Sequence, residues 1–212
     1  MSIETVGGKY KMKIETPSFK ILTLPPREEI LSHLERSARL CYKSEDKIKP
    51  GSSSKLLKSL NKFGHHSIFE HVSVSVHITC DRGVSHELVR HRIASYSQES
   101  TRYVSYNEIT VIKPLFFKDG SKEYHLWETA MAASEKLYAA LRRSGASPQE
   151  ARSVLPSSLK TEMIVTANLR EWKHIFNLRC SRAAHPQIRE VIVPIRDEFI
   201  RVLPEFYGDL IN

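Results

Sequence analysis

Three adjacent basic side chains, Arg90, His91 and Arg92, form the densest group in the sequence that could bind an anion. Each arginine presents a planar fork of N–H donors that matches the oxygens of a phosphate. Glu87 precedes the group by one helical turn and on a helix would share a face with Arg90 and His91. The same pattern would also arise at a solvent-exposed helix end with a Glu87–Arg90 ion pair. By itself the group therefore indicates either an anion site or an ordinary basic surface.

A polar segment follows at once and reads IASYSQESTRY from residue 93 to residue 103. We interpret residues 95–107 as a loop, because serine and tyrosine dominate them. Loops on a rigid scaffold commonly carry ligand contacts. A heterocyclic base needs both donors and acceptors, and a phosphate needs cations and hydroxyls. The segment offers both kinds of group.

The elements that position these residues are predicted from hydrophobic periodicity and capping signals. Strict alternation over residues 72–80 predicts a half-buried strand, and residues 84–93 are predicted to form the helix that carries the basic group. Weaker strands are predicted at 19–24, 110–117 and 162–167. Helices are predicted at 28–42, 52–63, 122–143, 170–182 and 187–202, with a kink or break at Pro194. Ser147-Pro148-Gln149-Glu150 predicts a further helix start with a capping box.

These elements predict an α+β (mixed α/β) fold with helices packed on a small antiparallel or mixed sheet. Residues 1–18 are predicted to be a loose N-terminal arm and residues 19–212 a single catalytic domain. The 212 residues contain no GxGxxG motif and only eight glycines, which argues against a Rossmann domain.

The composition restricts the partners and the compartment. A formal net charge of +8 and a pI near 9.4 favour anionic partners. Three cysteines leave one unpaired in any disulfide scheme, which predicts a reducing, cytoplasmic location. The sequence shows neither a secretory leader nor an apolar run long enough for a membrane span. Histidines at 65, 66 and 71 with Glu70 fit no metal-binding spacing, so no metal is predicted.

Two other functions remain open at this level. Residues 82–102 could form a phosphate-reading arm of a nucleic-acid-binding protein, which predicts salt-dependent binding to polynucleotides. Cys180 beside Arg179 could be the nucleophile of a cysteine-dependent enzyme that acts on nucleotides, because a neighbouring cation lowers the pKa of a thiol.

The spacing Arg-His-Arg, seven residues, then Ser100 resembles the signature of flavin-dependent thymidylate synthases. Further segments resemble that family in the same order: HHSIFEH at 65–71, ARSVLP at 151–156, and NLR at 168–170 followed by His174 and by NLR at 177–179. The resemblance runs from about residue 28 to residue 200. It implies an FAD enzyme that converts dUMP to dTMP with 5,10-methylenetetrahydrofolate and NADPH and without a cysteine nucleophile. It also implies a homotetramer with sites shared between subunits, and no nucleic acid or membrane partner.

The resemblance also implies roles for individual residues. The predicted FAD contacts are Ser67, Arg90, His91, Arg92, Gln98, Asn168, Leu169, Arg170 and His174. The predicted dUMP contacts are Glu87, Leu88, Val89, Arg90, Gln98, Glu99, Ser100, Thr101, Arg102, Arg152 and Arg179. Arg179 is the expected catalytic residue, placed against the pyrimidine, where a permanently protonated side chain stabilises the negative charge that forms as N3–H is lost.

Overall fold

The computed structural model describes residues 12–210, and six strands in this part of the chain form two sheets. The strands are β1 (Lys13–Glu15), β2 (Ser18–Thr23), β3 (Ser73–Asp81), β4 (Ala94–Gln98), β5 (Thr110–Ile112) and β6 (Lys160–Asn168). The larger sheet has the order β2-β3-β6-β4 with antiparallel neighbours throughout, and β1 pairs with β5 in parallel. The predicted fold class, helices on a small antiparallel or mixed sheet, is confirmed.

Eight α-helices lie in the same described part. They are α1 (Arg27–Leu40), α2 (Ser52–Lys62), α3 (Arg82–Leu88), α4 (Lys122–Arg143), α5 (Pro148–Ala151), α6 (Leu169–Arg179), α7 (Pro186–Val202) and α8 (Pro204–Tyr207). Short 3₁₀ helices occupy Glu45–Lys47, His66–His71, Arg152–Val154 and Gly208–Leu210. The predicted capping box is present, because Glu150 Oε2 accepts from the Ser147 backbone N–H at 2.7 Å. Within residues 12–210, no helix has both the length and the apolar content to cross a membrane.

The core lies between one face of the larger sheet and the helices. Val74, Val76 and Ile78 on β3 are fully buried, as their alternation predicts, while Ser75 and His77 lie on the opposite, partly exposed face. The helices α6 and α7 contribute most of the large side chains that cover the buried face, including Trp172, Ile175, Phe176, Ile192, Ile195 and Phe199. Each fully buried aliphatic or aromatic side chain stabilises the fold by roughly 1.5–3 kcal/mol. The site residues are therefore attached to a rigid base.

Two segments predicted to be irregular are strands. Residues 13–15 of the predicted N-terminal arm form β1, because they pair with β5 and Ile14 lies opposite the buried Val111; residues 1–11 lie outside the described part. Residues 95–98 of the predicted loop, together with Ala94, form β4, which pairs with β6 in a register that sets Tyr96 opposite Val165. In both cases pairing with a buried strand outweighs a polar local sequence.

The structure differs from two predictions about helices. The helix predicted over 84–93 ends at Leu88, so Arg90, His91 and Arg92 lie in a turn rather than on a helical face. The helix α7, predicted over 187–202 with a kink or break, continues through Pro194 without a break. A proline inside a helix costs about 3 kcal/mol. The buried residues on either side of it, Ile192 and Ile195, offset that cost by packing into the core.

Candidate functional site

The turn after α3 places the basic group. Backbone bonds from His91 N to Leu88 O (3.0 Å) and from Arg90 N to Glu87 O (3.3 Å) close it. The Tyr96 hydroxyl lies 2.8 Å from both Leu88 O and His91 O and fixes the turn to β4. As a result the two arginines of the group are exposed, and His91 points inward with only 4% of its surface accessible.

A cavity of about 640 Å³ opens beside this turn. Its lining consists of Glu70, Arg90, His91, Arg92, Ile93, Asn168, Arg170, Glu171 and His174. The volume lies within the usual range for small-molecule sites. Six of the predicted FAD contacts therefore line the cavity: Arg90, His91, Arg92, Asn168, Arg170 and His174.

The N-terminus of α6 faces the same cavity. Asn168 caps it by accepting from the backbone N–H of Glu171 at 2.8 Å, and the helix then runs for 11 residues. The first turn of a helix carries a partial positive charge. Arg170 on this turn also pairs with Glu70 across the cavity (2.5 Å). Helix end and arginines together make the cavity attractive to an anionic ligand.

His91 is a neutral hydrogen-bond acceptor in this arrangement. Burial, followed by the charges of Arg179 and His174, lowers its pKa from 6.5 to about 4. Arg179 Nε lies 3.0 Å from His91 Nε2, and a guanidinium nitrogen can only donate, so Nε2 accepts and the ring proton is on Nδ1. Nδ1 in turn lies 3.7 Å from Glu171 Oε1.

Arg179 is held at a fixed position next to the cavity. Its Nη1 donates to Glu87 Oε2 at 2.7 Å and its Nη2 donates to the Glu87 carbonyl oxygen at 3.0 Å. The Glu87–Arg90 pair considered from the sequence does not form; the carboxylate binds Arg179, because α3 ends before it reaches Arg90. Three of the five guanidinium N–H groups are used by these partners and His91, which leaves two for a ligand.

The other predicted dUMP residues lie at the far end of β4. Ser100 Oγ accepts from Arg102 N at 3.3 Å, and Arg152 Nη1 lies 3.5 Å from Thr101 Oγ1. Glu99 continues the pairing with β6 through its N–H to Glu162 O (2.9 Å) and accepts from the Tyr106 hydroxyl at 2.6 Å. The strand β4, which is roughly 13 Å long from Ala94 to Gln98, lies between this group and the turn at 89–93. A single chain therefore brings the predicted dUMP residues together as two separate groups.

The remaining predicted contacts are placed differently. Gln98 lies between the two groups and donates to Ser85 Oγ (2.9 Å) and Thr161 Oγ1 (3.1 Å). Leu88 and Leu169 are at most 1% exposed, so these two side chains belong to the core and only their backbone could reach a ligand. Val89 is 38% exposed on the turn.

Ser67 does not line the main cavity. It lies with His65, His66 and Tyr42 at a neighbouring cavity of about 370 Å³, which shares Arg170 with the first. The two cavities are therefore adjacent on one surface, and the sequence alone does not predict that they are separate.

The cysteine nucleophile considered from the sequence is not supported. Burial raises the pKa of Cys180 to about 11 and that of Cys80 to about 12, so both thiols are protonated at neutral pH. The nearest charges that act on Cys180 belong to Arg196 and Asp197 rather than to Arg179, because successive helical side chains diverge. Cys41 is exposed at the end of α1.

The sequence interpretation missed three cavity residues: Glu70, Ile93 and Glu171. The available signal for Glu171 was its position three residues after the helix cap, close to His174 on the same face. One nitrogen of His91, one of His174 and a Glu171 oxygen lie within 4.8 Å of one another, a spacing that could hold a metal ion. The arginines at 90, 92, 170 and 179 surround this cluster and disfavour a cation there.

The cavity meets the requirements of the FAD diphosphate that the family resemblance implies. Among the described residues 12–210, neither Arg90 nor Arg92 forms an ion pair, and both are exposed at the cavity. Two unengaged guanidinium groups beside a helix N-terminus suit a diphosphate, since both supply N–H donors to its oxygens.

Comparison with known proteins defines the family. The model of the thymidylate synthase complementing protein family matches residues 28–205. The chain is 38% identical over 163 residues to a flavin-dependent thymidylate synthase of Pyrococcus abyssi, covering 74% of this chain and 67% of that protein. A second one, from Geobacter sulfurreducens, is 37% identical over 182 residues, with 82% and 78% covered. The chain therefore belongs to the flavin-dependent thymidylate synthase family of enzymes, as the motifs predicted.

A solved structure supports the same fold. A UMP/dUMP methylase from Streptomyces cacaoi, bound with 5-Br dUMP, superimposes with a TM-score of 0.77. The match covers 92% of this chain and 95% of that chain at 23% sequence identity. At this identity the likeness concerns the arrangement of helices and strands.

Proposed function

We propose that this chain catalyses the reductive methylation of dUMP to dTMP with FAD bound in the cavity beside Arg90 and Arg92. The observation that carries the proposal is the position of Arg179 next to this cavity. His91 and Glu87 hold the guanidinium in place, and two of its N–H groups remain unused. The names of the relatives agree with this activity.

Within the proposed site, different side chains bind the cofactor and stabilise the reacting pyrimidine. Arg90, Arg92 and the N-terminus of α6 bind the diphosphate of the cofactor, and His174 and Asn168 lie at the same cavity. When bound, the reduced flavin supplies the hydride, so the protein needs no thiol nucleophile. Arg179 stabilises the negative charge that develops when the pyrimidine N3–H is lost, because its guanidinium stays protonated.

The proposed reaction consumes two further small molecules. 5,10-Methylenetetrahydrofolate would supply the one-carbon unit and be released as tetrahydrofolate, and NADPH would supply the reducing equivalents for FAD. Ser100, Arg102 and Arg152 would bind the dUMP phosphate, since they combine a hydroxyl with two cations. The net charge of +8 favours such anionic substrates.

The assembly we propose is a homotetramer in which two chains complete each dUMP site. This explains why one chain separates Ser100, Arg102 and Arg152 from Arg179 by the length of β4. We also propose that residues 19–212 act as one catalytic domain in the cytoplasm, where the free cysteines at 41, 80 and 180 would remain reduced.

An absorption spectrum of the purified protein tests the proposal directly. We expect flavin bands, and we expect added dUMP to accelerate reoxidation of the reduced cofactor when methylenetetrahydrofolate is present. A colourless protein that takes up no added FAD would refute the proposal. If that protein also bound polynucleotides in a salt-dependent manner, the nucleic-acid interpretation would replace it.

A further inference from the structure

A buried line of polar groups connects the cofactor cavity with Arg179. It runs from Glu171 through His91 to the guanidinium, and Glu87 closes it on the other side. The side chains of Glu171 and His91 are 8% and 3% exposed, so water screens this line only weakly. Interactions along it are correspondingly stronger than on an open surface.

The polar neighbours of the Glu171 carboxyl group are two histidines, His91 and His174. The carboxyl group forms no hydrogen bond within residues 12–210. The backbone N–H of Glu171 donates to the Asn168 side chain, which is the helix cap. Glu171 Oε1 lies 3.7 Å from His91 Nδ1. Burying a carboxyl group without hydrogen bonds is costly. The carboxyl group lies at the cavity wall with its Oε1 turned to His91, which places it where it can act on the imidazole ring.

The hydrogen bond from Arg179 requires one particular tautomer of His91. Nε2 must be the unprotonated nitrogen, because it accepts from Arg179 Nε at 3.0 Å. The other tautomer would set two N–H groups against each other and break that bond. An acceptor on the Nδ1 side favours the productive tautomer and ring orientation, as carboxylates do for histidines in many active sites.

We infer that Glu171 is a positioning residue whose carboxyl group orients His91, so that His91 holds Arg179 towards the nucleotide. The inference rests on the proposed function, because the guanidinium must face the pyrimidine for its orientation to matter. Glu171 touches neither substrate nor product in this scheme. Its effect passes through His91 Nε2 to the guanidinium.

The substitution Glu171→Leu tests the inference in the FAD-loaded protein. We expect kcat for dTMP formation, expressed per bound FAD, to fall about tenfold, within the range for members of one polar network. The dissociation constant of dUMP, measured by calorimetry, should rise as well. Glu171→Gln keeps an oxygen that can accept from Nδ1–H and should retain most of the activity.

A double-mutant cycle with Arg179→Ala separates positioning from a structural role. If Glu171 acts through Arg179, Glu171→Leu should change the residual rate less than twofold once the guanidinium is gone. Equal losses in both backgrounds, or a loss that follows FAD content, would overturn the inference. Glu171→Met replaces Glu171→Leu in the cycle if the latter does not fold.

The controls distinguish this inference from the proposed function. Glu190→Leu removes another partly buried carboxyl group, located on α7 at a different cavity, and should leave kcat and dUMP affinity unchanged. A wild-type protein without dUMP-dependent flavin oxidation would refute the function itself. An active wild type whose Glu171→Leu variant matches it would refute only the positioning role.

Discussion

His91 is buried between two exposed arginines, and this alternation is the central feature at the residue scale. The turn after α3 directs Arg90 and Arg92 to the cavity while His91 points to Arg179 and Glu171. Three consecutive basic residues therefore have two different roles. Two are cations that face the cavity, and the third is a neutral acceptor for the side chain of Arg179. The sequence predicts the anion site but not the neutral histidine.

The lowered pKa of His91 predicts an acid-sensitive contribution to stability. Because the pKa is about 4 in the folded chain and 6.5 ordinarily, folding favours the neutral ring. The stabilisation is present above pH 6.5 and is lost as the pH falls from 6.5 through 4, with about 3 kcal/mol as the upper limit. Both proteins lose unfolding free energy between pH 7 and pH 4.5. We expect His91→Gln to lose about 2 kcal/mol less than wild type over this range.

Urea unfolding of the flavin-free protein at both pH values measures this difference. The groups that face His91 are Arg179, His174 and Glu171, and all remain in the variant. His125→Gln, at an exposed histidine on α4, serves as the control and should follow wild type. If His91→Gln also followed wild type, the ring would not be the group responsible.

Strand β4 is the element that most changes the interpretation of the sequence. Its side chains alternate between inward Ala94, Tyr96 and Gln98 and outward Ser95 and Ser97. The alternation is visible in the letters, but only one inward residue is large and apolar, so the segment resembles a loop. Pairing with the buried β6 decides the conformation, and that contact joins residues about 70 positions apart. The strand β3 was predictable because five apolar residues alternate over 72–80, and four of them lie within the strand itself.

The hydroxyl of Tyr96 connects β4 to the arginine-bearing turn, which leads to a prediction at the element scale. Tyr96→Phe removes the donor to Leu88 O and His91 O. We expect the free energy of unfolding to fall by about 1 kcal/mol, the usual net value of one hydrogen bond. We also expect the dissociation constant of FAD to rise several-fold, since the turn positions Arg90 and Arg92.

FAD titration followed by flavin fluorescence, together with thermal unfolding, measures both effects. Tyr124→Phe is the matched control, because its hydroxyl donates to Glu128 on α4 and Tyr124 does not line the cavity. That variant should bind FAD like wild type. Unchanged FAD binding in Tyr96→Phe would show that the turn keeps its shape without the hydroxyl.

The whole molecule divides the predicted dUMP residues into two groups, a division the sequence could not reveal. Arg90 and Arg179 lie by the cavity at the α3 turn, whereas Ser100 and Arg152 lie beyond the other end of β4. Motif spacing shows which residues belong to a site, but only the course of β4 shows that one chain keeps them apart. Assembly of two chains, each contributing one group, would complete the site.

A subunit-mixing experiment tests this arrangement. Arg179→Ala and Arg152→Ala should each be nearly inactive alone, because each removes one group from every site. Unfolding and refolding them together in equal amounts should restore about a quarter of wild-type activity, since that fraction of sites draws an intact group from each chain. Mixing Arg179→Ala with Arg90→Ala should restore nothing, because both changes lie in the same group. Recovery in both mixtures, or in neither, would contradict a dUMP site shared between two chains.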